Sequence, residues 1–174
     1  MSQKIKSSQA DLNNTAKELL GNLPERWGRM GLMSRAALVE VGCVLKKEGM
    51  LNDDATLIPG WNGGLIVCSK KGSLAVDIEY AQTVKSGPGM ASPHLFGYTL
   101  PNIPLAEAAI QYGLTGPVFC MISDDPYEEA LLVAQQWLED ISGTKIIMVA
   151  GALDVIPDDP KPKVAAKFKI LHTE

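Results

Sequence analysis

Two adjacent aspartates, Asp124 and Asp125, lie between an apolar run, "VFCMIS" (118–123), and a helical pattern, "PYEEALLVAQQWLEDI" (126–141). Enzymes often hold a nucleophile where a strand turns into a helix, and two carboxylates there could act as general acid and base. The alternative is that one aspartate caps the helix, with Pro126 in its first turn. The sequence favours capping, because this is the usual role of an aspartate before a proline. A metal site is the other use of two carboxylates, but no histidine lies nearby to complete a transition-metal set.

Three further side chains are candidates for chemistry. His94 lies in "GPGMASPHLFGYTLPN" (87–102), whose glycines, prolines and serines predict a long loop of the kind that is often functional. A surface or capping role is the commoner one for such a histidine, and His172, close to the end of the sequence, is expected to be solvated. Cys120 is the thiol nearest to the aspartate turn, and a small buried apolar side chain is its usual role.

Composition excludes several classes of protein. Hydrophobic residues make up 46% and charged residues 21% of the 174 residues, which predicts a folded globular domain. A formal net charge of −4 without blocks of like charge argues against nucleic acid or an anionic membrane surface as partner. Three scattered cysteines indicate reduced thiols and a cytoplasmic protein, and we expect neither a signal peptide nor a membrane span. "GWNGGL" precedes a strand instead of following one, which argues against a phosphate-binding loop. We expect no cofactor and no metal.

Alternating patterns predict an α/β fold. "SRAALVEVGCVLKKEG" (34–49) is typical of a helix capped by Ser34 and ended by Gly49, and Asn102 is expected to cap a helix that ends at Gly113. Crossover connections between the strands imply a three-layer, mostly parallel sheet of four or five strands with helices on both faces. The predicted strands are 64–69 and 118–123, both expected to be buried, together with 145–155 and 164–172. The predicted helices are 11–21, 34–49, 73–87, 102–113 and 126–141.

The helix over 126–141 has two different sides. A helix that is buried all round should be apolar all round, and this one is not. We therefore expect one side to pack on the sheet and the other to meet water or a polar partner. The polar side holds Glu128, Glu129, Gln135, Gln136, Glu139 and Asp140, and the apolar side holds Ala130, Leu131, Ala134, Trp137, Leu138 and Ile141.

Several stretches resemble the N-terminal half of β-ketoacyl synthases, members of the thiolase-like superfamily. They are "RMGLMSRAALVEVGCVLKKEGML", "ASPHLFGYTLPNIPLAEAAIQYGLTGP", and "DPYEEALLVAQQWLED" followed by "KIIMVAGALD". The "TLPN…GLTGP" block is the most specific part. The resemblance covers residues 29–155 of a single domain (1–174), in unbroken order. Residues 1–28 then form an N-terminal arm or short helix, and residues 156–174 a Pro-rich connection and closing strand.

The resemblance implies where a nucleophile would lie. In that family the strand after Gly-Pro leads to a cysteine at the helix tip, which carries the acyl chain as a thioester. Here that position, the eighth after Pro117, is Asp125, while Cys120 is the third and lies inside the strand. A carboxylate cannot take the place of the thiolate in that step. The family's other catalytic residues, histidines or His and Asn, belong to a second half, which we expect to be absent here along with the first half's opening strand.

Three functions follow from the resemblance. The first is a non-catalytic ketosynthase-like partner in fatty-acid or polyketide-type synthesis, forming a homodimer, or a heterodimer with a true ketosynthase, through strand 118–123. The second is an acyltransferase or hydrolase of altered chemistry, in a pocket under the 86–102 loop, that uses Asp124, Asp125, Cys120 or His94. The third is a module that binds acyl ligands or acyl-carrier protein, with contacts to Lys70, Lys71 and Lys85.

Overall fold

Helices and strands alternate along the chain, as the sequence predicts. The computed structural model describes residues 9–141, 145–157 and 162–173. The expected N-terminal arm falls partly, and the Pro-rich connection mostly, outside these residues. The elements are α1 (Gln9–Leu20), α2 (Leu32–Lys47), β1 (Asn62–Ser69), α3 (Leu74–Lys85), α4 (Pro93–Gly97), α5 (Ile103–Tyr112), β2 (Val118–Ile122), α6 (Pro126–Glu139), β3 (Ile146–Ile156) and β4 (Lys163–His172), with a 3₁₀ turn at Trp27–Arg29.

The four strands form one mixed sheet in the order β2-β1-β3-β4. β1 pairs in parallel with β2 and with β3, whereas β4 is antiparallel to β3. The parallel pairs need crossovers, which the helices between the strands supply. The prediction of an α/β fold with a mostly parallel sheet of four or five strands is therefore confirmed, with four strands in the part of the chain that the structure describes.

Helices cover both faces of the sheet, which confirms the three layers. α2 and α5 pack on one face, with α1 against α2, and Leu65, Val67 and Val149 of the strands belong to the same apolar cluster. Of the helices that the structure describes, α6 covers the other face, over Ile66, Cys68, Met148 and other apolar side chains. Only Pro126, Ala130 and Ala134 of α6 are buried, and its glutamates and glutamines are exposed. The expected two-sided character of this helix is confirmed, although Trp137, assigned to the apolar side, is 42% exposed.

The first turn of α2 differs from the prediction. The helix begins at Leu32 after Gly31, so Ser34 lies inside it as a buried residue and not at its N-cap. Burial of Met33 in the core outweighs the local capping preference and moves the helix start towards the N-terminus. Leu38 and its neighbours on the same face are fully buried, as the helical pattern predicts, and Gly49 ends the helix with φ +69.

The segment 87–102 is not a plain loop, which corrects the prediction. It contains the short helix α4, begun by Pro93 and capped by Ser92, whose Oγ accepts a hydrogen bond from the Leu95 N–H at 3.2 Å. The Tyr98 hydroxyl donates to the buried Glu107 carboxylate at 3.3 Å and anchors the end of this segment. Glu107 also pairs with Arg26 at 3.0 Å.

Two apolar segments are less buried than their composition suggests. α3 forms over the predicted residues, but it buries none of them, and Leu74, Ile78 and Val84 are 39%, 43% and 48% exposed. The "VFCMIS" run was predicted to be a buried strand, and this is wrong. β2 lies at the edge of the sheet, with only β1 as a neighbour among the described strands, so its side chains are half-buried or exposed.

Candidate functional site

The carboxyl ends of the parallel strands meet beside the N-terminus of α6, at the edge of an open sheet where α/β proteins commonly bind ligands. A cleft of about 470 Å³ opens there, on the face of the sheet that α6 covers. Asp125 is on its rim, with Lys70 and Lys71 after β1. From β4, the Lys167 ammonium group approaches within 3.2 Å of the centre of the Tyr127 ring, a cation–π contact.

Asp125 occupies the N-cap position of α6 but does not cap it. Its side chain makes no hydrogen bond to the helix, and its torsions, φ −120 and ψ 70, differ from the extended conformation of capping residues. Its backbone N–H donates to Ser123 Oγ at 3.1 Å. Both Asp124 and Asp125 are exposed. The predicted capping role is therefore wrong for Asp125, and its carboxylate faces solvent at the tip of the helix.

The most constrained carboxylate of this region is Asp154, which our sequence reasoning missed. It is 9% exposed, and its Oδ1 accepts hydrogen bonds from Ser69 Oγ at 2.6 Å and from the backbone N–H groups of Lys70 and Lys71 at 3.0 and 2.9 Å. Ser69 Oγ in turn accepts from the Gly72 N–H at 2.7 Å. The sequence did contain an indication of this role, an aspartate within the otherwise apolar β3, because a buried carboxylate needs hydrogen-bond partners. Asp154 holds the turn after β1.

Cys120 does not approach the tip of α6. It lies within β2, and its side chain packs with the α1, α2 and α5 side of the core. Burial raises the pKa of its thiol to about 12, with smaller contributions from Cys68 and Asp154. Because the thiolate is the reactive form, this thiol is a poor nucleophile at neutral pH.

The remaining candidates are dispersed. His94 lies on α4 with its ring edge-on to Tyr98, at 5.2 Å between ring centres, beside a separate cavity of about 60 Å³. Asp125 borders the larger cleft instead, and Cys120 borders neither cavity. The structure therefore does not bring Asp125, His94 and Cys120 into one pocket under residues 87–102. His172 is exposed on β4, against Trp61, and Lys85 is exposed at the end of α3.

The described residues offer neither a metal site nor a helix that could cross a membrane. Residues 9–141, 145–157 and 162–173 contain no group of three or more metal-binding side chains. Within those same ranges, no helix has the length and apolar character needed to cross a membrane.

We expect all three cysteines to react slowly with iodoacetamide in the folded protein at pH 8. Burial raises the thiol pKa of Cys43 and Cys68 to about 11 and that of Cys120 to about 12. Few thiolates are therefore present at pH 8, and the rate should rise about tenfold per pH unit until those pKa values are reached. Intact-mass measurement of alkylation against pH, with the urea-unfolded protein as control, checks this. Rapid labelling of folded Cys120 at pH 8 would contradict it.

Comparison with known proteins indicates a fold. No family model and no curated protein matches the sequence. Solved structures similar to this chain include the following two. The ishigamide ketosynthase/chain length factor matches over 88% of this chain and 46% of its own, with TM-score 0.64 and 16% identity. A complex from Xenorhabdus doucetiae, the ketosynthase ApeO with its chain length factor ApeC, matches over 93% of this chain and 72% of the other, with TM-score 0.58 and 15% identity.

These likenesses show that the chain shares its fold with part of a ketosynthase/chain length factor structure and part of a ketosynthase–chain length factor complex. The chain spans just under half the length of the first of these proteins.

Proposed function

We propose that this chain is a non-catalytic ketosynthase-like subunit that assists a true ketosynthase in fatty-acid or polyketide-type acyl-chain synthesis. One observation carries the proposal. The residue at the tip of α6, the eighth after Pro117, is the exposed carboxylate Asp125 instead of a thiol. The nearest thiol, Cys120, lies inside β2 with a raised pKa. A protein with this fold and without that nucleophile is suited to forming a complex with a ketosynthase and not to carrying an acyl chain itself.

The two edge strands of the sheet differ in composition, and the difference favours β2 as the strand where a partner binds. β4 carries Lys163, Lys167 and Lys169, and lysines on an edge strand discourage pairing with another chain. β2 (Val118–Ile122) contains neither a charged residue nor a proline, so its edge lacks these protections. One of the similar structures is a ketosynthase in complex with its chain length factor, which makes a ketosynthase the first partner to test. A homodimer through the same strand is the alternative assembly.

A second candidate function is the binding of acyl-carrier protein. It is favoured by one observation, the position of Lys70 and Lys71 on the rim of the cleft beside Asp125. Both lysines are exposed, as contacts for an acidic carrier protein must be. The enzymatic alternative has less support, because its nucleophile and base candidates lie in separate places.

The test combines acylation with assembly. The purified protein is incubated with acyl-CoA and acyl-carrier-protein thioesters of several chain lengths, and a covalent adduct is sought by intact mass. It is also co-expressed with candidate ketosynthases, and complexes are measured by light scattering. We expect no adduct and a defined complex with a ketosynthase. An acyl adduct on Cys120, or a strictly monomeric protein that retains no ketosynthase, would contradict the proposal. Asp125→Ala is the matched variant, and it should form the same complex.

A further inference from the structure

The free edge of β2 presents a defined set of backbone groups. The Leu65 N–H donates to the Pro117 carbonyl at 2.8 Å, and the Ser123 N–H donates to the Ser69 carbonyl at 3.1 Å. Backbone groups along a strand point alternately to its two sides. Residues 119 and 121 therefore turn their N–H and C=O groups towards β1. Residues 118, 120 and 122 turn theirs to the open side, where an added strand would bind.

The central donor of that edge is already occupied. The Cys120 N–H donates to Asn102 Oδ1 at 2.6 Å, a short bond across 18 residues of sequence. Asn102 sits at the N-cap position of α5, where the sequence predicts that its side chain caps the helix. That prediction is wrong, because the side chain makes no capping bond. The Asn102 side chain binds the sheet edge instead of its own helix.

The surroundings of the edge are apolar. Ile110 of α5 and Ile122 of β2 are 75% and 65% exposed. Between α5 and β2 lies a groove of about 440 Å³, lined by Asn102, Ile110, Val118 and neighbouring residues. A strand added to β2 could place an apolar side chain in this groove while its backbone pairs with residues 118–122. The edge is therefore complementary to an apolar strand, except that Asn102 occupies its central donor.

We propose that Asn102 is a specificity-determining residue that disfavours pairing of β2 with a second copy of itself and leaves the edge to a ketosynthase strand whose own outward N–H groups are not occupied in this way. This rests on the function proposed above. Any two-fold pairing in which the partner strand runs opposite Cys120 needs the Cys120 N–H of both copies, so two Asn102 bonds must break. Pairing with such a ketosynthase strand breaks only the Asn102 bond of this chain. The factor by which the lost bonds weaken association is therefore, for self-pairing, the square of the factor for the heterodimer.

The experiment compares Asn102→Ala with the matched control Asn102→Asp, which keeps an oxygen acceptor at the same place. Asn102 is exposed, so both variants should fold. Amide exchange at Cys120 is measured in dilute, monomeric protein, with the β1 and β3 amides as a check of folding. Self-association is measured by sedimentation equilibrium, and ketosynthase binding by titration calorimetry.

In Asn102→Ala we expect faster exchange of the Cys120 amide. Self-association should tighten by about 30-fold, which corresponds to two net bonds of about 1 kcal/mol each. Ketosynthase binding should tighten by about fivefold, for one such bond. Asn102→Asp keeps an acceptor that binds at least as strongly, so its Cys120 amide should exchange no faster than in the wild type and its self-association should be no tighter.

The outcomes separate this inference from the proposed function. Unchanged exchange at Cys120 in Asn102→Ala would overturn the inference, as would faster exchange with unchanged self-association. In both cases a wild-type complex with the ketosynthase would still support the proposed function. Tighter self-association in a protein that binds no ketosynthase would support the control of self-pairing by Asn102, but it would overturn the ketosynthase as the partner.

Discussion

Replacing Gly151 with alanine is expected to destabilise the protein by about 3 kcal/mol, one of the two largest effects that the structure predicts. Gly151 lies in β3 directly opposite Phe168 of β4. A Cβ added at this position would overlap the Lys167 carbonyl oxygen and would lie 2.8 Å from both Cα and Cδ1 of Phe168. Because two of these atoms belong to the backbone of β4, the clash can be relieved only by separating the strands or by distorting their pairing.

Urea denaturation of Gly151→Ala measures this effect. Gly97→Ala is the matched control, because a Cβ there would meet nothing within 4 Å. We expect that control to stay within about 0.5 kcal/mol of the wild type. If Gly151→Ala were as stable as Gly97→Ala, that result would contradict the close approach of β3 to β4 at this position.

Asp154→Ala is expected to cost about 2–4 kcal/mol. The substitution leaves Ser69 Oγ and the N–H groups of Lys70 and Lys71 without their acceptor at the buried end of β1. The turn into α3 should therefore loosen together with the loss of global stability. Asp154→Asn should cost less, because an amide oxygen at the Oδ1 position can still accept these three bonds.

The measurement is urea denaturation together with amide exchange at Lys70, Lys71 and Gly72. Asp124→Ala is the control, because Asp124 is an exposed aspartate of the neighbouring turn. That control should change stability by no more than about 0.5 kcal/mol. Equal stability of Asp154→Ala and Asp124→Ala would show that Asp154 does not organise the turn.

Local patterns were sufficient to predict most of the fold. The apolar runs that became β1, β3 and β4 are short and bounded by turn residues, and glycines with positive φ, such as Gly49 and Gly113, end α2 and α5 as predicted. These features depend on neighbours in the sequence. The α/β class then follows from the alternation of elements alone.

The features that could not be predicted depend on contacts between distant residues. Asn102 has two possible partners, the N-terminus of its own helix and the edge of β2, and only the tertiary structure decides between them. Ser34 lost its expected capping role because Met33 packs in the core. The composition of β2 does not indicate an edge strand, because its apolar run is like that of a central strand. Only the family resemblance, which assigns 118–123 to a dimer contact, pointed to an edge.

In the candidate site, the sequence identified the turn but not its organisation. Asp125 lies at the N-cap position of α6, as the sequence predicts, whereas its match to the nucleophile position of the ketosynthases stays a prediction. In the buried network around Asp154, the partners Ser69 and Lys70 lie 85 and 84 positions away from the aspartate in the sequence, so no local pattern contains the network.

The exposure of α3 has a consequence for how the protein responds to denaturant. A helix that buries none of its residues can open without uncovering much of the apolar core. The sensitivity of an unfolding reaction to urea scales with the surface it exposes, so local opening of α3 would depend little on urea concentration. Residues 74–85 would then behave as a low-stability unit whose fluctuations persist under conditions in which the sheet stays intact.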